Sequence, residues 1–374
     1  MNIRIIEVLT RQEMDLFIFF PKELYKSDKN FSFEPVSMQR EFLSVRNPFF
    51  EHSQARYFLG ISDNKVVGRI ASIINTEHNR TYNEKTGFFG FFESVENYNV
   101  AKQLLDTVVE KHRQNGFLKI LGPTNFTTND SCGMLISGFE DPAVIMMPYN
   151  KPYYNDFLLR YGFVKEMDLS SYLIKNNFLR SAHFTELVSR IEKKLSASGI
   201  TIRQMNFKNL DQEIVSFCRI YNQSNSDNWG FVPLKETEFK YTANQLRQFV
   251  PEKLVLLVEK NSDLIGFIVA LPDLNQVFRK IRSGKLFPFG FLKFLWYRRK
   301  IDNSRVLILG VIKEFRNMGI DIVLYYRIQE NLAHFGINQG EACYVIENNV
   351  KMNSILRKLN GEVLKRYRIY KLGT

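Results

Sequence analysis

Cysteine, histidine and tryptophan are all sparse in this chain. The three cysteines, Cys132, Cys218 and Cys343, are far apart, forming neither an even disulfide set nor a metal-ligand pattern. That usage suits a reducing cytoplasm. The histidines, His52, His78, His112, His183 and His334, show no ligand or triad spacing, so no metal is expected. Long apolar runs are missing too, and a chain without a run of about 18 apolar residues predicts no membrane span. The start, Met1-Asn2-Ile3-Arg4-Ile5-Ile6, lacks the charged lead, apolar core and small-residue cleavage site of a leader. The expected location is cytoplasmic, with peripheral contact at the inner membrane face as its extension.

What is present is enough for two ordinary domains: 374 residues, 45% of them hydrophobic. The formal net charge is +12, compatible with nucleic acid, anionic lipid or a polyanionic cofactor. Its distribution is more informative than its size. Arg279, Lys280, Arg282, Lys285, Lys293, Arg298, Arg299, Lys300, Arg305, Lys313 and Arg316 cluster in the C-terminal half, opposed only by Asp302 and Glu314.

The two halves follow one series of elements. Strand-like segments 55–61 and 65–75 form a hairpin, as do 253–259 and 264–271. Their second strands read Val66-Val67-Gly68-Arg69-Ile70 and Leu264-Ile265-Gly266-Phe267-Ile268, with the glycines about 198 positions apart. Near the ends, Leu159-Arg160-Tyr161-Gly162-Phe163-Val164-Lys165 matches Lys358-Leu359-Asn360-Gly361-Glu362-Val363-Leu364 at nearly the same offset. Each half inserts a different stretch, 124–150 in the first and 273–304 in the second, and this pattern argues for duplication. Val100, Leu104, Val108 and His112 mark one amphipathic helix; Ile320, Leu324, Ile328 and Leu332 mark its counterpart. Helix and strand periods alternate, which predicts an α/β fold. The expected domains are 1–175, a linker helix over 176–198, and 199–374.

The sharpest local feature is the strand Arg305-Val306-Leu307-Ile308-Leu309-Gly310-Val311-Ile312 and the turn Lys313-Glu314-Phe315-Arg316-Asn317-Met318-Gly319 that opens the next helix at Ile320. Main-chain N–H groups at a helix N-terminus suit an anion. The plain alternative is an ordinary glycine turn with a solvated arginine. The turn resembles the donor-binding motif of the GNAT acyltransferase superfamily, Arg/Gln-x-x-Gly-x-Gly/Ala. Arg316 and Gly319 match its first two anchors, and Asp321 departs from the third. The resemblance implies two tandem GNAT-like domains, each a mixed, mostly antiparallel twisted sheet flanked by helices. It also implies an acyl-CoA or acetyl-CoA donor held by Leu309, Gly310, Val311, Arg316, Asn317, Met318, Gly319, Ile320 and Asn349. Asn348 and Asn349 could equally cap the following helix.

The first half lacks this equipment: no Lys or Arg occurs from Thr86 to Ala101, and Glu93 and Glu96 stand where a pyrophosphate would lie. It is expected to be structural, or to wall the acceptor site. A closer resemblance covers nearly the whole chain. Gly122-Pro123-Thr124-Asn125-Phe126, Asn150-Lys151-Pro152-Tyr153-Tyr154, Asn228-Trp229-Gly230-Phe231-Val232-Pro233, Leu286-Phe287-Pro288-Phe289-Gly290 and Lys365-Arg366-Tyr367-Arg368-Ile369-Tyr370 are similar to stretches of bacterial two-domain GNAT proteins. That group is related to acyltransferases proposed to N-acylate sphingoid bases in bacterial ceramide synthesis. Independently, Leu286 to Lys300 mixes aromatics with cations, which suits a bilayer interface, so peripheral membrane contact is expected there. A helix covering the sheet, or a basic aromatic surface for nucleic acid, would use the same residues.

N-acyl transfer needs a base for the amine, stabilisation of the oxyanion and a proton for the leaving thiolate. The candidates are Glu341 and Glu347 as base or amine anchor and Tyr344 as acid, against the alternative of strand-end carboxylates in solvent. Strand alternation puts the two glutamates on one face and Tyr344 on the other unless a bulge intervenes. Asp227, Trp229, Asn125, Asn129 and Asp130 are secondary acceptor-site candidates. The function expected is acyl-CoA-dependent N-acyl transfer to a small-molecule or lipid amine, such as a long-chain or sphingoid-type base. The other readings are a Fem-type aminoacyl transferase on a cell-wall precursor and a non-catalytic ligand-binding protein.

Overall fold

The computed structural model describes residues 2–175, 179 and 181–373. Of the expected linker, Asn176, Asn177, Phe178 and Arg180 lie outside the described residues; the helix described there is Ala182–Ala197. The strands are β1 (Arg4–Glu7), β2 (Gln54–Ser62), β3 (Lys65–Ile74), β4 (Thr86–Ser94), β5 (Lys119–Gly122), β6 (Met134–Ser137), β7 (Val164–Lys175), β8 (Ile200–Gln204), β9 (Val255–Lys260), β10 (Asp263–Pro272), β11 (Asn303–Val311), β12 (Gln339–Ile346) and β13 (Glu362–Gly373).

The chain forms two compact units. The first comprises Met1–Leu169, Phe278–Phe291 and Lys365–Thr374. The second comprises Ser170–Val277 and Leu292–Leu364. In the first unit β1, β2, β3 and β4 pair antiparallel, β4 pairs β5 in parallel, and the end of β13 pairs antiparallel with β5 and β6. In the second, β8, β9, β10 and β11 pair antiparallel and β11 pairs β12 in parallel. Each unit is therefore a mixed, mostly antiparallel sheet with helices packed on it.

The duplicated glycines explain their own recurrence. A Cβ on Gly68 would come within 3.0 Å of the Glu93 carbonyl, and one on Gly266 within 3.0 Å of the Gly310 carbonyl. Both sit on the strand next to the one that leads into the main helix, and both let the main chains approach closely. In the first unit that helix is Tyr98–Gln114, capped by the Asn97 side chain on the Asn99 N–H. It buries Val100, Leu104 and Val108 among Phe58, Ile70 and Phe89. Its counterpart in the second unit, Ile320–Ala333, buries Ile320, Val323, Leu324, Ile328 and Leu332. Burying such side chains stabilises by roughly 1.5–3 kcal/mol each.

The first unit also contains a buried base. The helix Thr76–Tyr82 is capped by the Asn75 side chain on the His78 N–H, and His78 packs edge-on to Phe88. Burial pushes the His78 imidazole from 6.5 down to about 4, outweighing Glu84 at 3.9 Å. With the folded value below the unfolded one, this contribution is complete above pH 6.5 and is lost as pH falls toward 4. Thermal unfolding of His78→Phe should therefore show a shallower loss of stability across that window than the parent chain. An unchanged slope would refute the assignment.

Candidate acyl-donor site

In the second unit the parallel ladder between β11 and β12 covers Asn303–Val306 against Gln339–Ala342. On its other side β11 pairs β10, where Ile308 faces Val269 and Val306 faces Ala270, leaving Leu307 as the extra residue of a bulge. A bulge bends its strand and raises the local twist. The β11–β12 ladder ends at the bulge, and Leu307, Ile308 and Leu309 beyond it are only half-buried. Gly310 is buried against Ser224 and Phe267.

The turn after β11 is held by its own side chains. The Arg316 guanidinium donates from Nε to the Val311 carbonyl at 3.0 Å and from Nη2 to the Ser224 carbonyl at 2.9 Å. Asp227 lies 3.0 Å from Lys313 Nζ and 3.8 Å from Arg316 Nη1. Asn317 and Gly319 both have positive φ, 69° and 82°, on either side of Met318. Gly319 is the residue that precedes the helix, and a Cβ there would also press on Ile191 at 3.0 Å. Among the described residues, no hydrogen bond engages the main-chain N–H groups of Asn317, Met318 or Gly319. Consecutive unpartnered N–H groups ahead of a helix are the kind of group an anion can engage. The carboxylate of Asp321 accepts from the Ile322 N–H at 3.0 Å and so tends the first helical turn itself.

The remaining candidates separate by burial. Glu341 lies inside β12, is 1% exposed, and accepts from the Ser171 hydroxyl at 2.6 Å. Its register partner on β11 is Arg305, whose guanidinium lies 5.6 Å from the Tyr344 ring. Glu341, Ser171, Arg305 and Tyr344 thus share one neighbourhood, whereas Glu347 is exposed beyond the end of β12. Asn349 caps the helix Val350–Lys358 through the Met352 N–H at 3.0 Å, and Asn348 is exposed. Sequence reasoning missed Ser171 and the buried pair in which the Tyr172 hydroxyl donates to Asn353 Oδ1 at 2.7 Å. No local pattern hints at either, since Ser171 and Tyr172 are consecutive and both buried.

The equivalent region of the first unit is closed by its own chain. The β4–β5 ladder covers Thr86–Phe88, and a register shift follows between Arg69 and Ala71 on β3. Beyond the β4–β5 ladder the Thr124 N–H donates to the Phe89 carbonyl at 2.8 Å, and Asn125 Oδ1 accepts from the Phe91 N–H at 2.8 Å. Glu93 is buried rather than open to a ligand. It accepts from the Tyr25 hydroxyl at 2.7 Å and the Tyr154 hydroxyl at 2.8 Å, with Arg69 at 3.9 Å. Burial raises its pKa, and Arg69 and the two phenols pull it back. Asn125 is therefore a structural stitch. Asn125→Ala, which strands the Phe91 N–H, should cost about 1–3 kcal/mol in urea denaturation; no loss would mean that water replaces it.

No family model matches the chain. It is 32% identical to Protein YghO of Escherichia coli (strain K12) over 371 residues, 97% of this chain and 93% of that protein. It is 29% identical over 378 residues to the bacterial ceramide synthase of Caulobacter vibrioides (strain NA1000 / CB15N), covering 99% and 97% respectively. Among solved structures, a tandem GNAT protein from the clavulanic acid biosynthesis pathway superposes with a TM-score of 0.60 at 10% identity, covering 100% of this chain and 98% of that one. A GCN5-related N-acetyltransferase from Sphaerobacter thermophilus gives 0.56 at 11% identity, covering 99% and 95%. These superpositions show a tandem GNAT fold, and the 32% identity over nearly the full length of both chains means that the chain belongs to the family of Protein YghO.

Proposed function

We propose that the chain is an N-acyltransferase that takes an acyl group from a CoA-type thioester bound by the second unit and passes it to an amine. The observation that carries this reading is the end of the β11–β12 ladder at Val306, beside the bulge at Leu307 and ahead of the unpartnered N–H groups of Asn317, Met318 and Gly319. An extended pantetheine arm fits a strand edge with open main-chain groups, and a pyrophosphate fits the turn. Leu309, Gly310 and Val311 line the edge. Ile320 begins the helix behind the turn, and Arg316 shapes the turn through the Val311 and Ser224 carbonyls. Asn349 contributes by fixing the helix after β12.

In the transfer, the amine nitrogen attacks the thioester carbonyl carbon. The C–N bond forms as the C–S bond breaks, the amine gives up a proton, and the thiolate gains one. In this reading Glu341, rather than Glu347 at the exposed strand end, receives or orients the amine. Tyr344, next to Arg305, is the proton source for the thiolate. A long-chain or sphingoid-type base as acceptor is supported by the name of the Caulobacter vibrioides relative, bacterial ceramide synthase.

Acyl-CoA should raise the melting temperature of the purified chain, as any ligand selective for the folded state does. Met318→Glu puts an anion on the exposed lip of the turn and should weaken that binding about tenfold. Absence of stabilisation by any CoA compound would remove the reading. Glu341→Gln should keep donor binding and lower the rate with a long-chain amine about 10²–10⁴-fold. Donor binding without turnover across a broad amine panel would instead favour a ligand-binding role. Transfer from charged tRNA without CoA would favour aminoacyl transfer.

A further inference from the structure

The segment between β10 and β11 carries an exposed surface that the proposed chemistry does not use. Within it, helix Phe289–Tyr297 turns Phe294 inward, 7% exposed and 5.7 Å ring to ring from Phe249. The opposite face carries Phe289, Leu292 and Trp296 at helical spacing, exposed by 75%, 65% and 66%. Phe287, 76% exposed, precedes them and stacks on Phe291 at 5.7 Å. These are the large apolar groups that a protein surrounded only by water rarely groups together.

Charge complementarity selects the occupant. No aspartate or glutamate occurs between Asp273 and Asp302. Lys285, Lys293, Arg298, Arg299 and Lys300 are all exposed along the same stretch, and Lys300 lies 5.4 Å from the Trp296 ring. A partner protein helix would need a continuous apolar groove and its own acidic rim. An anionic bilayer supplies both elements at once, an acyl boundary for the rings and headgroup phosphates for the cations. Aromatic rings and cations interleaved on one short helix match that layered environment.

We propose that Phe287, Phe289, Leu292 and Trp296, rimmed by these cations, form a docking surface for an anionic phospholipid bilayer. This surface needs no donor site and stands or falls independently of the proposed reaction. The full chain should co-sediment with vesicles of phosphatidylcholine containing about one-third phosphatidylglycerol, and not with phosphatidylcholine alone. Removing three surface cations in the combined variant Arg298→Gln, Arg299→Gln and Lys300→Gln should weaken partitioning about a hundredfold. Phe289→Ser, Leu292→Ser and Trp296→Ser together should abolish it while leaving the melting temperature and acyl-CoA stabilisation in place. In a Trp229→Phe background, leaving Trp296 as the single tryptophan, emission should shift to the blue on anionic vesicles. The proposal is overturned if the parent chain ignores these vesicles or the triple serine variant still binds them. Binding of a single-stranded RNA oligonucleotide in preference to vesicles, lost with the same substitutions, would overturn it in favour of nucleic acid.

Discussion

When a parallel strand pair stops bonding part-way along, the main-chain groups beyond that point need other partners. This requirement governs both units. β4 leaves β5 after Phe88, and β11 leaves β12 after Val306. In each case the strand's antiparallel neighbour shows a register shift close by, the local cause of the divergence. The first unit meets the requirement with Thr124 and Asn125. The second leaves Leu307, Ile308 and Leu309 half-buried at an edge that water or a ligand can reach.

The same division appears in the treatment of charge. A carboxylate at the end of β4 would be intolerable beside a phosphate, yet Glu93 is not offered to one. Two phenols and Arg69 enclose it, and the Ser94 N–H donates to the Tyr154 hydroxyl at 2.8 Å instead of outward. The N–H groups of Val95 and Asn97 that follow donate to the Val67 and Val95 carbonyls. In the second unit the N–H groups of Asn317, Met318 and Gly319 have no hydrogen-bond partner among the described residues. One duplicated scaffold therefore yields a sealed copy and an open one through a handful of hydrogen bonds.

How much of this the sequence discloses depends on the range of each interaction. The hairpins, the two main helices and the turn at Gly319 were legible because apolar period and glycine position are local signals. Gly68 and Gly266 announced the repeat because each lets a neighbouring strand approach closely. The bulge at Leu307 was not legible: one extra residue in an apolar strand changes no composition, only the register with β10. Asn125, Ser171 and Asn353 were equally opaque, since their partners Phe91, Glu341 and Tyr172 lie far away in the chain. Glu93 was visible as a charge, but not as a buried one, because the tyrosines enclosing it come from distant segments.

Arg316 gains a different meaning from its contacts. A guanidinium that donates to Val311 and Ser224 carbonyls is a brace for the turn, and Asp227 offsets part of its charge and that of Lys313. Asp321 adds a second carboxylate at the helix start, where the macrodipole tolerates it and the Ile322 N–H accommodates it. Lys313 and Arg316 against Asp227, Glu314 and Asp321 leave no excess of positive charge at the turn. An anion there would be held chiefly by oriented N–H groups at short range, which act through direction rather than through a long-range field. Such binding would depend on the two left-handed residues that bracket Met318, Asn317 and Gly319, as much as on Arg316.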